Sequence, residues 1–189
     1  MQLWLEANRH AQTTGDWRRY LGPLYTDDAQ YTWNVGPNEE FVANGRPQIE
    51  EWALGHQMEG FEGWSYPYEK ILYDDVAGEV VGFWRQVAPA RRPDGTAYEV
   101  AGTGGSWFRY GGNHQWSWQR DFFDLGNVVS LLGELAAAGA LNPTLKHKLQ
   151  RVARGAPLPG HVALRPGFGG RLAQLRGKLA LGRIALFGR

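Results

Sequence analysis

The chain has 189 residues, 43% hydrophobic and 21% charged, enough for one domain with a sizeable core and too apolar for a disordered chain. It has no cysteine, which excludes disulfides, thiolate catalysis and Cys-ligated metals. The net charge of +1 hides an asymmetry: residues 1–139 hold 10 Lys/Arg against 19 Asp/Glu, residues 140–189 hold 10 Lys/Arg and no acid.

The first residues, Met1-Gln2-Leu3-Trp4-Leu5-Glu6, carry neither a basic region nor a long apolar run, so they do not read as a signal peptide. No stretch of about 18 apolar residues occurs, and the expectation is a cytoplasmic protein. Leu3, Trp4, Ala7 and Ala11 predict a helix over residues 2–13, which Gly15 stops; Asp16 can cap a second, ending near Pro23. Residues 29–35 read as a strand closed by Gly36-Pro37. Ile49, Trp52, Ala53 and His56 place a third helix over about 46–58, with Pro47 in its first turn.

The period then changes from 3.6 to 2. Residues 64–73, 79–88, 97–110 and 115–123 are rich in β-branched and aromatic side chains and are joined by turn-forming sequences. Strands joined by short turns predict an antiparallel meander, with helices on one face of a curved sheet, an α+β fold. A helix follows from Leu125, Asp124 being placed to cap it, and Asn142-Pro143 opens a basic helix to about Arg154. Residues 155–170 read as a Gly/Pro linker, and 171–187 as a basic amphipathic segment with three readings: a solvated extension, a contact with an anionic membrane surface, or a contact with an acidic partner.

The run Trp118-Gln119-Arg120-Asp121-Phe122-Phe123-Asp124, on the last strand and followed by a helix, resembles the Trp-Arg-Asp-Tyr-Phe-Asp signature of limonene-epoxide-hydrolase-like proteins. These share a fold group with SnoaL-like polyketide cyclases and ketosteroid isomerases, the nuclear-transport-factor-2-like (NTF2-like) superfamily. The resemblance covers about residues 4–138. It implies a cone-shaped α+β domain over residues 1–139, a curved antiparallel sheet with the N-terminal helices on its concave face, and leaves residues 140–189 as a basic helical extension. By resemblance, Asp121 matches the family's water-activating base, Arg85 the Arg of its Arg-x-Asp pair, and Tyr31 the Tyr of its Tyr-x-Asn pair. Val87 stands where the second Asp belongs, and Trp33 where the Asn belongs, with Asn34 one residue late. Epoxide opening needs an acid as well as a base, so these departures favour an isomerase or cyclase using one carboxylate on an apolar steroid-, terpenoid- or polyketide-like substrate.

Alternation places Ser117, Gln119, Asp121 and Phe123 on one face of the last strand and Trp116, Trp118, Arg120 and Phe122 on the other. The candidate catalytic set is Asp121, Arg85 and Tyr31, with Asp121 the natural partner of a buried Arg85; the candidate substrate contacts are Trp33, Asn34, His56, Trp84, Gln119 and Phe123. Each has a plainer reading, as ion pair, core ring or surface residue. With 9 Trp, 8 Tyr and 8 Phe there are rings enough for a core and a pocket lining alike. Gly102-Thr103-Gly104-Gly105-Ser106 lies within a strand and reads as structural, not as a phosphate loop. No histidine spacing predicts a metal site and no cofactor is expected. A non-catalytic binding module is the alternative reading. The expected partners are an apolar small molecule and a second copy of the chain, with Trp116 and Trp118 as anchors on the outer sheet face, and no nucleic acid.

Overall fold

The computed structural model describes residues 1–36 and 39–164, together with the single residues 167 and 176. Helix α1 (Gln2–Thr14) ends where Gly15 takes a left-handed φ of 75°. Asp16 then caps α2 (Trp17–Leu21) by accepting from the Arg19 N–H, and a 3-10 turn, Gly22–Leu24, leads into β1 (Tyr25–Gly36). A strand absent from the sequence reading, β2 (Glu39–Asn44), pairs antiparallel with β1. Helix α3 (Arg46–Gln48) runs on as a π-helical segment, Ile49–His56. Then come β3 (Tyr68–Asp74), β4 (Glu79–Trp84), β5 (Val87–Arg91), β6 (Ala97–Glu99), β7 (Gly104–Gly112) and β8 (Gln115–Phe122).

Two predicted long strands are each broken. Residues 79–88 leave the main sheet after Trp84, and residues 97–110 rejoin it at Gly104; the pieces between, β5 and β6, form their own two-stranded sheet. The main sheet has the order β3-β4-β7-β8-β1-β2-β9, where β9 is His161–Ala163. It is antiparallel except at the β1–β8 contact, which is parallel. The result is the expected α+β cone, an open mixed sheet whose concave face carries α1, α2 and the π-helical segment. Trp4, Trp17, Tyr25, Phe41, Ile49, Phe108 and Trp116 form the core beneath them.

One expectation fails at a bulge. Arg109 pairs with Trp118 and Tyr110 with Trp116, so Ser117 is an extra residue in β8 and the alternation resets there. Trp116 is therefore 5% exposed inside the cone, stacked on Phe108 at 4.8 Å, and is no outer-face anchor. Trp118 stays outside, beside the 38% exposed Trp107.

A second apolar cluster closes one end. Helix α4 (Leu125–Ala137), capped by Asp124 as expected, packs Val128, Leu131, Leu132 and Leu135 against Trp64, Ala88, Tyr98 and Val100. Helix α5 (Pro143–Ala153) joins the same cluster through Leu145. Residues 140–164, read as the start of the extension and its linker, make contacts with the preceding part of the chain: Asn142 donates to the Gly60 carbonyl at 2.7 Å, Lys148 donates to the His56 and Gln57 carbonyls, and β9 pairs with β2. The proposed membrane segment, 171–187, lies outside the described residues. Among those described, no helix is long and apolar enough to cross a membrane, and no group of three or more His, Cys, Asp or Glu is placed to hold a metal ion.

Candidate active site

The site is built where β1, β7 and β8 lie side by side. Ser106 on β7 is the cross-strand partner of Asp121 on β8, and Tyr31 on β1 is the register partner of Gln119 two residues earlier. Alternation turns Tyr31, Ser106, Gln119 and Asp121 all into the concave face. Asp121 Oδ1 accepts from Ser106 Oγ at 2.6 Å and from Gln119 Nε2 at 2.8 Å, while the Tyr31 hydroxyl donates to Oδ2. Behind these donors stands another layer. The buried Tyr25 hydroxyl donates to Gln119 Oε1, Trp84 Nε1 donates to Ser106 Oγ at 2.9 Å, and Trp4 Nε1 donates to the Tyr68 hydroxyl at 3.0 Å.

Every group around the carboxyl is neutral. Asp121 forms no ion pair among the described residues, and no cation is among the influences on its ionisation. Part of the side chain remains accessible, yet desolvation by burial is the strongest influence and raises its pKa above the ordinary 3.8. Hydrogen bonds from Ser106, Tyr31 and Gln119 pull the other way by stabilising the ionised form. Burial raises the tyrosines too, and the Asp121 charge adds to the rise at Tyr25, Tyr31, Tyr66 and Tyr68.

A cavity of about 210 Å³ opens beside this network, lined among others by Trp84, Gln86, Val100, Gly104, Phe123 and Asn127. Trp84 belongs to both: its ring faces the cavity and its indole N–H holds Ser106. A Cβ on Gly104 would collide with the Trp84 ring, and one on Gly105 with Phe122, which gives the glycine run its purpose: it lets two aromatic rings lie flat on β7.

The predicted residues divide cleanly. Tyr31, Gln119 and Asp121 meet. Trp84 and Phe123 line the cavity with ring centroids 6.4 Å apart. Trp33 stacks on Phe41 at 3.6 Å and borders Tyr31, a packing position next to the site. Three others lie elsewhere. Arg85, at the break between β4 and β5, is 43% exposed and sits 3.0 Å from Glu69 and 3.2 Å from Glu99, so its expected pairing with Asp121 is not made. Asn34 accepts from Arg120 on the outer face, opposite Tyr31. The His56 side chain is 42% exposed and pairs with Glu59 at 3.3 Å. Sequence reasoning missed Ser106, Tyr25, Tyr68 and Trp4. For Ser106 a signal existed: the alternation that buries Phe108 also buries Ser106.

Solved structures share this fold at low identity. A putative SnoaL-like polyketide cyclase from Jannaschia sp. CCS1 aligns with a TM-score of 0.52 at 17% identity, covering 69% of this chain and 88% of that one. An NTF2-like protein of unknown function from Burkholderia pseudomallei K96243 gives 0.51 at 13% identity, over 69% and 95%. A hypothetical protein with a ketosteroid isomerase-like fold from Catenulispora acidiphila DSM 44928, in complex with trimethylamine, gives 0.50 at 19% identity, over 68% and 91%. No family model and no curated protein matches the sequence. The chain therefore has the SnoaL-like, NTF2-like cone fold, and what it does must be argued from the site.

Proposed function

We propose that this chain is a small-molecule enzyme of the isomerase or cyclase type in which Asp121 moves a proton next to a carbonyl. The observation that carries the reading is a partly buried carboxyl group held, among the described residues, by three neutral donors and by no cation. A carboxylate neutralised by an arginine is a weak base; one held only by neutral dipoles in an apolar setting keeps more of its basicity. In the proposed step, Oδ2 takes the proton, the C–H pair becomes a C=C bond, and the carbonyl π pair moves onto oxygen as an enolate. The new Oδ2–H then donates to the Tyr31 oxygen, which frees the Tyr31 proton to turn towards the enolate; return of the proton to another carbon completes an isomerisation. Epoxide hydrolysis fits less well, because Arg85 and Val87 lie at the strand break and in the β5–β6 hairpin, and no second acid reaches Asp121 among the described residues. The cavity of about 210 Å³ is below the ~300 Å³ at which drug-sized ligand pockets begin, which favours a compact substrate or one end of a longer one.

The test is hydrogen–deuterium exchange at the α-carbon, followed by NMR over a panel of ketones from cyclohexenone to a ketosteroid. The reading expects accelerated exchange for at least one ketone and a loss of roughly 100-fold or more in Asp121→Asn with the circular dichroism spectrum intact. No acceleration for any ketone, or equal rates in the variant, would overturn it. The second reading is a binding module that uses the cavity alone, and it rests on one observation: Asp121 is not among the cavity's lining residues. Ligand binding that survives Asp121→Asn in a protein without exchange activity would select that alternative.

A further inference from the structure

We infer that Ser106 and Gln119 are positioning residues: two donor chains, Trp84 to Ser106 and Tyr25 to Gln119, converge on Oδ1 of Asp121 and leave Oδ2 as the oxygen that exchanges a proton. The inference deepens the proposed activity and rests on it for the meaning of that exchange. Its geometry follows from what each group can donate. An indole N–H only donates, so Trp84 must give its hydrogen to Ser106 Oγ at 2.9 Å. Ser106 then has one proton to give, and the acceptor it meets is Oδ1 at 2.6 Å. Gln119 is oriented in the same manner. Tyr25 donates to its Oε1, which fixes the amide so that Nε2 faces Oδ1 at 2.8 Å. Among the described residues, Oδ1 thus accepts two directed hydrogen bonds, whereas Oδ2 accepts one, from the Tyr31 hydroxyl. Trp84 also lines the cavity, so a ligand pressing on its ring acts on the donor that holds the base.

The experiment titrates the Asp121 carboxyl carbon by ¹³C NMR in the full chain, assigned by its loss in Asp121→Asn. Ser106→Ala removes a donor to the ionised form, and Trp84→Phe keeps a ring but removes the N–H that orients Ser106. Both are expected to move the midpoint upward, Ser106→Ala by about one pH unit and Trp84→Phe by less; Ser106→Thr, which restores the hydroxyl, is expected to return it to the wild-type position. An unmoved midpoint in either Ser106→Ala or Trp84→Phe, or a Ser106→Thr midpoint displaced as far as that of Ser106→Ala, overturns the inference. Because the readout needs no substrate, failure of the proposed activity and failure of the positioning network are seen separately.

Discussion

Two neighbouring residues of β8 meet opposite treatment. Arg120 points out of the cone and is met by Glu40 at 2.7 Å and by Thr32 and Asn34. Asp121 points in and is met by Ser106, Gln119 and Tyr31, none of them charged. On the outer face the charge finds a countercharge; on the concave face it finds only neutral donors, which leave its basicity less reduced. The difference is produced by strand alternation alone, which separates the two faces of one sheet at a single peptide bond.

The sharpest way to break this comparison is to neutralise each member. Asp121→Asn is expected to lower ketone exchange by ~100–10,000-fold, and Arg120→Gln to leave it within ~3-fold, both measured by NMR. Asp121→Asn is also expected to raise thermal stability at neutral pH. The folded-state pKa lies above the unfolded one, so the folded chain binds more protons in that window; stability is greatest below the ordinary 3.8 and falls as pH rises through the folded value.

The next contrast sets the inner and outer rings of β7 side by side. Phe108, fully buried between Trp4 and Trp116, should cost about 3–5 kcal/mol when replaced by Ala in urea unfolding. Trp107, 38% exposed, should cost under about 1 kcal/mol. Should the chain dimerise through its outer face, with Trp107 and Trp118 as anchors in place of the buried Trp116, Trp107→Lys would lower the sedimentation coefficient.

Lys148 extends the comparison to a partly buried cation. It meets the His56 and Gln57 carbonyls and the Phe61 ring, and burial holds it down at about 8 against the attraction of Glu59 and Glu62. Between pH ~8 and the ordinary 10.5 the unfolded chain binds more protons than the folded one, so stability should rise with pH across that window. Lys148→Met should flatten the rise. The smallest effect is expected at Arg85: Arg85→Ala removes half-exposed pairs with Glu69 and Glu99, costs about 0–1 kcal/mol and leaves exchange unchanged.

Much of this was legible in the sequence, and the exceptions have causes. The helices announced themselves through Gly15, Asp16, Asp124 and Asn142, whose stopping and capping chemistry is local. Tyr31, Gln119 and Asp121 followed from alternation. Strand β2 did not, because Glu39 and Glu40 beside a Gly-Pro turn look like loop, and only pairing with β1 and β9 makes them strand. The Ser117 bulge hid Trp116, since an inserted residue leaves no mark in the periodicity. Arg85 is the instructive case. Val80, Gly82 and Trp84 face the core, so alternation already sends Arg85 outward. Aligning it with a family motif set that geometry aside, and Glu69 and Glu99 are the partners it meets. Ser106 is legible by the same alternation, but its place at the end of a glycine run hides it among structural residues.

The central claim is a carboxyl group partly enclosed and, among the described residues, without a countercharge. Its most direct measurement is the titration of the Asp121 carboxyl carbon by ¹³C NMR in the unmodified chain. The account predicts a midpoint above the 3.8 of an ordinary aspartate. A midpoint at or below that value would mean that hydrogen bonding, water or a cation outweighs burial at the carboxylate, and would contradict the claim.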